Sequence, residues 1–231
     1  MLAAEYSGGG AFLASASSTA ITVLDAVGLR AICVLNGHGG VLRSLTWAGP
    51  QDLFLVSTCH QGSLLLWPAR FRMADEADEL APLSRFYLAQ FQQLKGDPPG
   101  GHFEKAAYCP EMRRVAAITS TGALIVFEAT DDAPVLQVLR VGPGLPVSLL
   151  ALDSAWLAVG TSEGRLLLVG EAGLQSEVSL ERAAINELRL SPCGKYLTAG
   201  SDSGALYFLE LGWRAKGLLR GWHMGRTGES L

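Results

Sequence analysis

The residues of this chain best suited to acid–base or metal chemistry are four histidines, His38, His60, His102 and His223. A metal centre needs a second His, a Cys or a carboxylate at ligand spacing on the same element, and none of the four has one. Cys33, Cys59, Cys109 and Cys193 are scattered without a C-x-x-C pair. They read as buried, reduced thiols that pack as small hydrophobes. Neither phosphate-binding spacing occurs, G-x-x-x-x-G-K-[ST] or G-x-G-x-x-G at the start of a helix. Gly8-Gly9-Gly10 falls in a turn between strands, and the acidic pairs Asp75-Glu76 and Asp131-Asp132 fall in linkers with no companion base. The chain is therefore expected to carry no catalytic residue, no metal and no cofactor.

Two stretches have compositions suited to a macromolecular partner. The C-terminal segment, 212–231, interleaves Trp213 and Trp222 with Arg214, Lys216, Arg220 and Arg226. Aromatics among basic residues grip nucleic acid or acidic surfaces, but four cations are too few to indicate nucleic acid. Residues 72–100 begin with an acidic run and end in a Pro/Gly-rich loop, with Tyr87, Phe91 and Leu94 at helical spacing. A surface loop with a helical turn, then a strand over "RFYLAQF", is expected there, with Phe86 and Tyr87 as candidate partner contacts.

Bulk composition narrows the class further. A net charge of −4 and 17% charged residues give no general attraction to nucleic acid or a membrane. Hydrophobic residues at 49% exclude a disordered chain. "MLAAEYSGGG" has no basic leader, and no apolar run reaches membrane-spanning length. A cytoplasmic setting is expected.

The elements that must position these residues recur. "FLASASSTAITVLDA", "LFLVSTCHQGSLLLWPA", "RVAAITSTGALIVFEA", "AWLAVGTSEGRLLLVGEA" and "KYLTAGSDSGALYFLEL" each read apolar run, polar turn, apolar run. Gly62, Gly122, Gly164 and Gly204 hold the turn, and Thr19 takes that slot in the first segment. The separations are 43, 60, 42 and 40 residues, so only the interval containing 72–100 departs from a unit of about forty. Gly supplies the positive φ of a tight hairpin. A further strand-like run precedes each hairpin ("VLRSLTWA", "FEKAAYCP", "PVSLLALD", "INELRLSP") and another follows ("RAICVLN", "RFYLAQF", "VLQVLRV", "LQSEVSL"). Four strands per unit are expected, about five units in all, with the apolar inner runs buried by stacking.

The stretch from Gly37-His38 to Trp67 resembles a blade of the WD-repeat β-propeller family, as do "SPCGKYL" with the hairpin that follows it and, more loosely, "YSGGGAFLASAS". The resemblance implies an all-β propeller over 1–211, with an insertion at 72–100, and a basic, Trp-containing tail at 212–231. In a full WD blade a His, a Ser or Thr, an Asp and a Trp form a buried hydrogen-bonded set. Here His38, Ser57 and Trp67 match, and Gln61 stands where the Asp belongs. Ser18, Thr121, Glu163 and Ser203 hold that slot in the other units, and Pro68 replaces the Asp that would follow Trp67. Met1 begins near an inner strand with no outer strand before it, so an open or partial propeller is expected, completed by a larger chain or a partner. Nothing in "AKGLLRGWH" alternates cleanly enough to predict a strand there.

The resemblance implies a non-catalytic protein-interaction scaffold. The order of features is further similar to the axonemal cilia- and flagella-associated WD-repeat proteins, which implies a ciliary or cytoskeletal assembly. An alternative is a ubiquitin-ligase substrate receptor, for which Trp67-Pro68-Ala69-Arg70 offers the Arg without the Asp. An enzymatic or ligand-binding propeller would need convergent ionisable groups at the channel mouth, and the sequence names none.

Overall fold

Runs of Val, Ile, Leu and Phe between small polar turns form strands here throughout. The computed structural model describes residues 3–49, 53–69, 80–91, 101–140, 145–151, 156–191, 193–212 and 217–224. They form five four-stranded sheets, each built from consecutive antiparallel strands in sequence order. The first sheet is β1 (Ala3–Tyr6), β2 (Phe12–Ser17), β3 (Ala20–Asp25) and β4 (Ala31–Asn36). The second is β5 (Leu42–Ala48), β6 (Phe54–Cys59), β7 (Ser63–Pro68) and β8 (Ser84–Tyr87). The third is β9 (Phe103–Cys109), β10 (Arg114–Thr119), β11 (Ala123–Glu128) and β12 (Val135–Arg140). The fourth is β13 (Pro146–Ala151), β14 (Leu157–Thr161), β15 (Arg165–Gly170) and β16 (Gly173–Ser179). The fifth is β17 (Ile185–Leu190), β18 (Tyr196–Ser201), β19 (Leu206–Gly212) and β20 (Gly217–Met224).

The central hairpins turn where the sequence places them. Gly62, Gly122, Gly164 and Gly204 all have φ between 76° and 82°. In the first hairpin Ser18, at φ 51°, takes the left-handed conformation in place of the aligned Thr19. The second and third strands of the second and third sheets are buried on both faces, whereas β4 and β12 alternate between buried or half-buried and exposed positions. Inner strands are covered from both sides and outer strands from one, which is why the inner runs read as continuous apolar stretches.

The chain divides into two compact units, Met1–Thr121 with Ile125–Val138, and Gly122–Leu124 with Leu139–Leu231. In the first, a core of Ile21, Leu35, Leu42, Leu55, Leu65 and Trp67 lies between the first two sheets. Trp47 closes its edge, donating its indole N–H to the Glu5 carbonyl at 2.9 Å and stacking on Phe12. Full burial of a side chain such as Leu55 or Leu65 stabilises by about 1.5–3 kcal/mol. In the second unit Leu166, Leu168, Leu188, Leu197 and Leu209 pack between the fourth and fifth sheets.

Three expectations change. The segment set apart as a tail contributes β20, which pairs with β19 from Leu206↔Met224 to Gly212↔Gly217. A backbone ladder against an existing strand needs no alternation of side chains, so the missing pattern in "AKGLLRGWH" was no obstacle. In "RFYLAQF" the strand stops at Tyr87 and a single 3₁₀ turn, Leu88–Gln90, follows it. The loop expected ahead of that strand lies mostly outside the described residues. Finally, Cys33 and Cys59 are buried and free as expected, but Cys109 is only half-buried and Cys193 is exposed.

Candidate functional site

The Gly37–Val41 connection from β4 to β5 carries His38 into the second sheet. His38 is buried, its Nε2 2.6 Å from Ser57 Oγ on β6 and its Nδ1 3.0 Å from Ser63 Oγ on β7. Trp67 Nε1–H donates to Ser57 Oγ at 2.8 Å, and Ser63 Oγ lies 3.0 Å from Cys59 Sγ. One tautomer satisfies the whole chain: Trp67 N–H to Ser57, Ser57 O–H to His38 Nε2, His38 Nδ1–H to Ser63, Ser63 O–H to the Cys59 sulfur. The structure thus brings His38, Ser57 and Trp67 together. It excludes Gln61, which is exposed over Gly39 and Gly40. Ser63 and Cys59 take the place an Asp would fill.

This exchange has an electrostatic consequence. A buried Asp would favour the imidazolium; a serine hydroxyl does not. Burial, with the Arg85 guanidinium nearby, lowers the His38 pKa to about 4. His38 is therefore neutral and structural, holding the β4–β5 loop on the sheet.

That loop edges an exposed polar rim. Arg43 on β5 places Nε and Nη2 3.1 and 2.6 Å from Glu104 Oε2 on β9. Glu104 Oε1 lies 2.8 Å from His102 Nε2. The His102 ring stands 4.5 Å from that of His60, in the β6–β7 turn. Hydrogen bonds from Arg43 and His102 hold the Glu104 carboxyl below its ordinary value although partial burial pushes it upward. Arg85 and Tyr87, exposed on β8, extend the rim outward, Arg85 lying over Gly37. Val41 is exposed on the inner side. His102 and Glu104 stand two residues apart at the start of β9, whereas Arg43 and His60 reach them from β5 and the β6–β7 turn, which no sequence spacing brings together.

Chemically, the arrangement is an ion pair supporting an imidazole. No described Ser, Thr or Cys side chain is hydrogen-bonded to the His102 ring; Ser120 Oγ accepts the His102 backbone N–H at 3.1 Å. Among the described residues no group of three or more His, Cys, Asp or Glu side chains could hold a metal ion. Elsewhere, contrary to the expectation that no G-x-S-x-G occurs, Gly160-Thr161-Ser162-Glu163-Gly164 has that spacing. It spans the end of β14 and the turn to β15, and Ser162 Oγ accepts the Leu145 N–H at 2.9 Å. A nucleophile elbow joins a strand to a helix, so this spacing is incidental.

The candidate partner contacts fare unevenly. Phe86 is 2% exposed, with its ring 5.0 Å from that of Phe127, and cannot meet a partner. The alternation of β8 turns it inward and turns Tyr87, 42% exposed, outward. Trp213, Arg214 and Lys216 lie outside the described residues, as does Arg70. Arg220 and Trp222 stand opposite Glu210 and Phe208 in the β19–β20 ladder.

No family model and no curated protein matches the chain in sequence. Its structure is similar to the crystal structure of the β-propeller domain of Cps50 (Swd1) from Myceliophteria thermophila, at TM-score 0.73 and 18% identity over 93% of this chain. It is also similar to a chain in the crystal structure of the mitotic checkpoint complex, at TM-score 0.70 and 13% identity over 96% of this chain. The chain spans 66% and 63% of the lengths of those two. At these identities the likeness establishes the fold alone: an all-β propeller, built here from five four-stranded antiparallel sheets.

Proposed function

We propose that this chain is a protein-interaction scaffold whose working surface is the rim formed by Tyr87, Arg85, Gln61, His60, Val41 and Arg43. The observation that carries this reading is the exposure of charged and aromatic side chains around the β6–β7 hairpin: Tyr87, Arg85, Gln61, His60 and Arg43. Tyr and Arg on a fixed frame are the side chains that dominate protein interfaces. Of the two similar chains, one belongs to a multi-protein complex, the mitotic checkpoint complex, which is consistent with the reading. The axonemal setting and the ubiquitin-ligase role rest on the sequence resemblance alone. The cytoplasmic setting rests on composition alone.

A photo-crosslinking residue in place of Gln61 tests the proposal, with the same residue at Ser179, exposed on β16, as the control. In cells of the source organism, discrete adducts at position 61 and none at 179 are expected. Equal labelling, or none at 61, would contradict the scaffold reading of this rim.

The Arg43–Glu104–His102 group favours a second reading, a ligand-processing propeller. The two readings separate on His102→Gln: a catalytic base lost in this way abolishes turnover, whereas a scaffold keeps its adducts at position 61.

A further inference from the structure

We propose that the rim of the second sheet takes an extended, acidic segment of a partner protein. This rests on the scaffold reading and names the chemistry of the partner. From the outer strand inward the exposed side chains are Tyr87 and Arg85 on β8, Gln61 and His60 in the β6–β7 turn, Val41, and Arg43 on β5. Glu104 is the one carboxylate among the described groups bonded along this line, and both its oxygens are occupied, one by Arg43 and one by His102. Arg85 has no carboxylate partner among the described residues; its side-chain contact is a 3.4 Å approach to the Tyr87 hydroxyl. An exposed guanidinium with no carboxylate partner among the described residues, set beside an exposed tyrosine, offers a positive hydrogen-bonding fork. It complements a carboxylate, which an Arg can grip through two N–H groups.

The shape of the rim sets the form of the segment. The line crosses the four strands of one sheet, about 14 Å at the usual strand spacing, which an extended peptide covers in about four or five residues. Beside it Gln61 lies against Gly39 and Gly40, in the space a Cβ would take at either position, and presents its exposed amide to the line. Carboxylates at alternate positions of the peptide would point to the same side and reach Arg85 and the His60–Arg43 end together.

Fluorescence anisotropy with the full chain tests this, using a fluorescein-labelled (Glu-Ala)4 peptide, with (Lys-Ala)4 and an eight-nucleotide oligothymidine as comparators. The acidic peptide is expected to bind, and to bind about tenfold more weakly when NaCl rises from 50 to 300 mM. Arg85→Gln combined with His60→Asn is expected to weaken binding about tenfold, and Arg189→Gln on β17 to leave it unchanged. The affected side chains are exposed, and matching urea midpoints, with Arg85→Gln alone as a second variant, separate lost binding from lost folding. No binding of the acidic peptide, equal binding by the rim variants, or equal binding of the lysine peptide or the oligonucleotide overturns the proposal. If it is overturned while adducts still form at position 61, the scaffold reading stands and only the acidic chemistry falls.

Discussion

His38 shows how one replaced residue alters the chemistry of a buried network. With Ser63 where an anion would normally sit, nothing compensates protonation, and the folded-state pKa drops to about 4 from an ordinary value of 6.5. The sign follows from linkage. The unfolded chain takes up a proton below about pH 6.5, whereas the folded chain resists until about pH 4. Stability from this group is therefore complete above pH 6.5 and falls as pH drops through the window from 6.5 to 4, by on the order of 3 kcal/mol in all. Urea unfolding followed across that range should show the decline in the wild type and a flatter profile in His38→Gln. Parallel profiles would mean that His38 is not the group responsible.

At the scale of elements, the hairpins were legible because Gly and a pair of apolar runs suffice to define them. Gly164 and Gly194 separate two contributions that both turns share. Each has positive φ, 76° and 70°. A Cβ on Gly194 would meet nothing within 4 Å, whereas one on Gly164 would run into the backbone of Glu181 and Ala183. Gly194→Ala is expected to cost about 1 kcal/mol, the backbone penalty alone. Gly164→Ala should cost at least twice that, because main-chain atoms cannot rotate aside as a side chain can. Thermal unfolding of the two variants checks this, and equal losses would contradict the close packing at Gly164. The inner strands and the His38–Ser57–Trp67 set were readable for a similar reason: each depends on local pattern or on one blade. Ser63 as the Asp substitute was not, because a Ser directly after a turn glycine is ordinary in sequence. Phe86 was misjudged because phase along a four-residue strand is set by its partner β7, not by its own composition. In the Arg43–Glu104–His102–His60 grouping the His102-x-Glu104 pair is local and was readable, but Arg43, 61 residues from Glu104, and His60 in the β6–β7 turn were not, because they reach it only in the folded chain.

For the molecule as a whole, fold and function draw on different residues. The five sheets rest on apolar strands whose identities are interchangeable within limits of volume, so the fold likeness to Cps50 (Swd1) survives at 18% identity. The proposed rim would have no such tolerance, since Arg85, His60 and Arg43 are exposed and would act through the polar groups they present. The central claim is that the chain acts by holding another protein at this rim. It is tested most directly by quantitative mass spectrometry of proteins recovered with the wild-type chain and with the Arg85→Gln/His60→Asn variant, at equal expression and equal thermal stability. The account predicts that specific partners, with acidic segments, are depleted about tenfold by the variant while the background is unchanged. Recovery of the same proteins in the same amounts from both would contradict it.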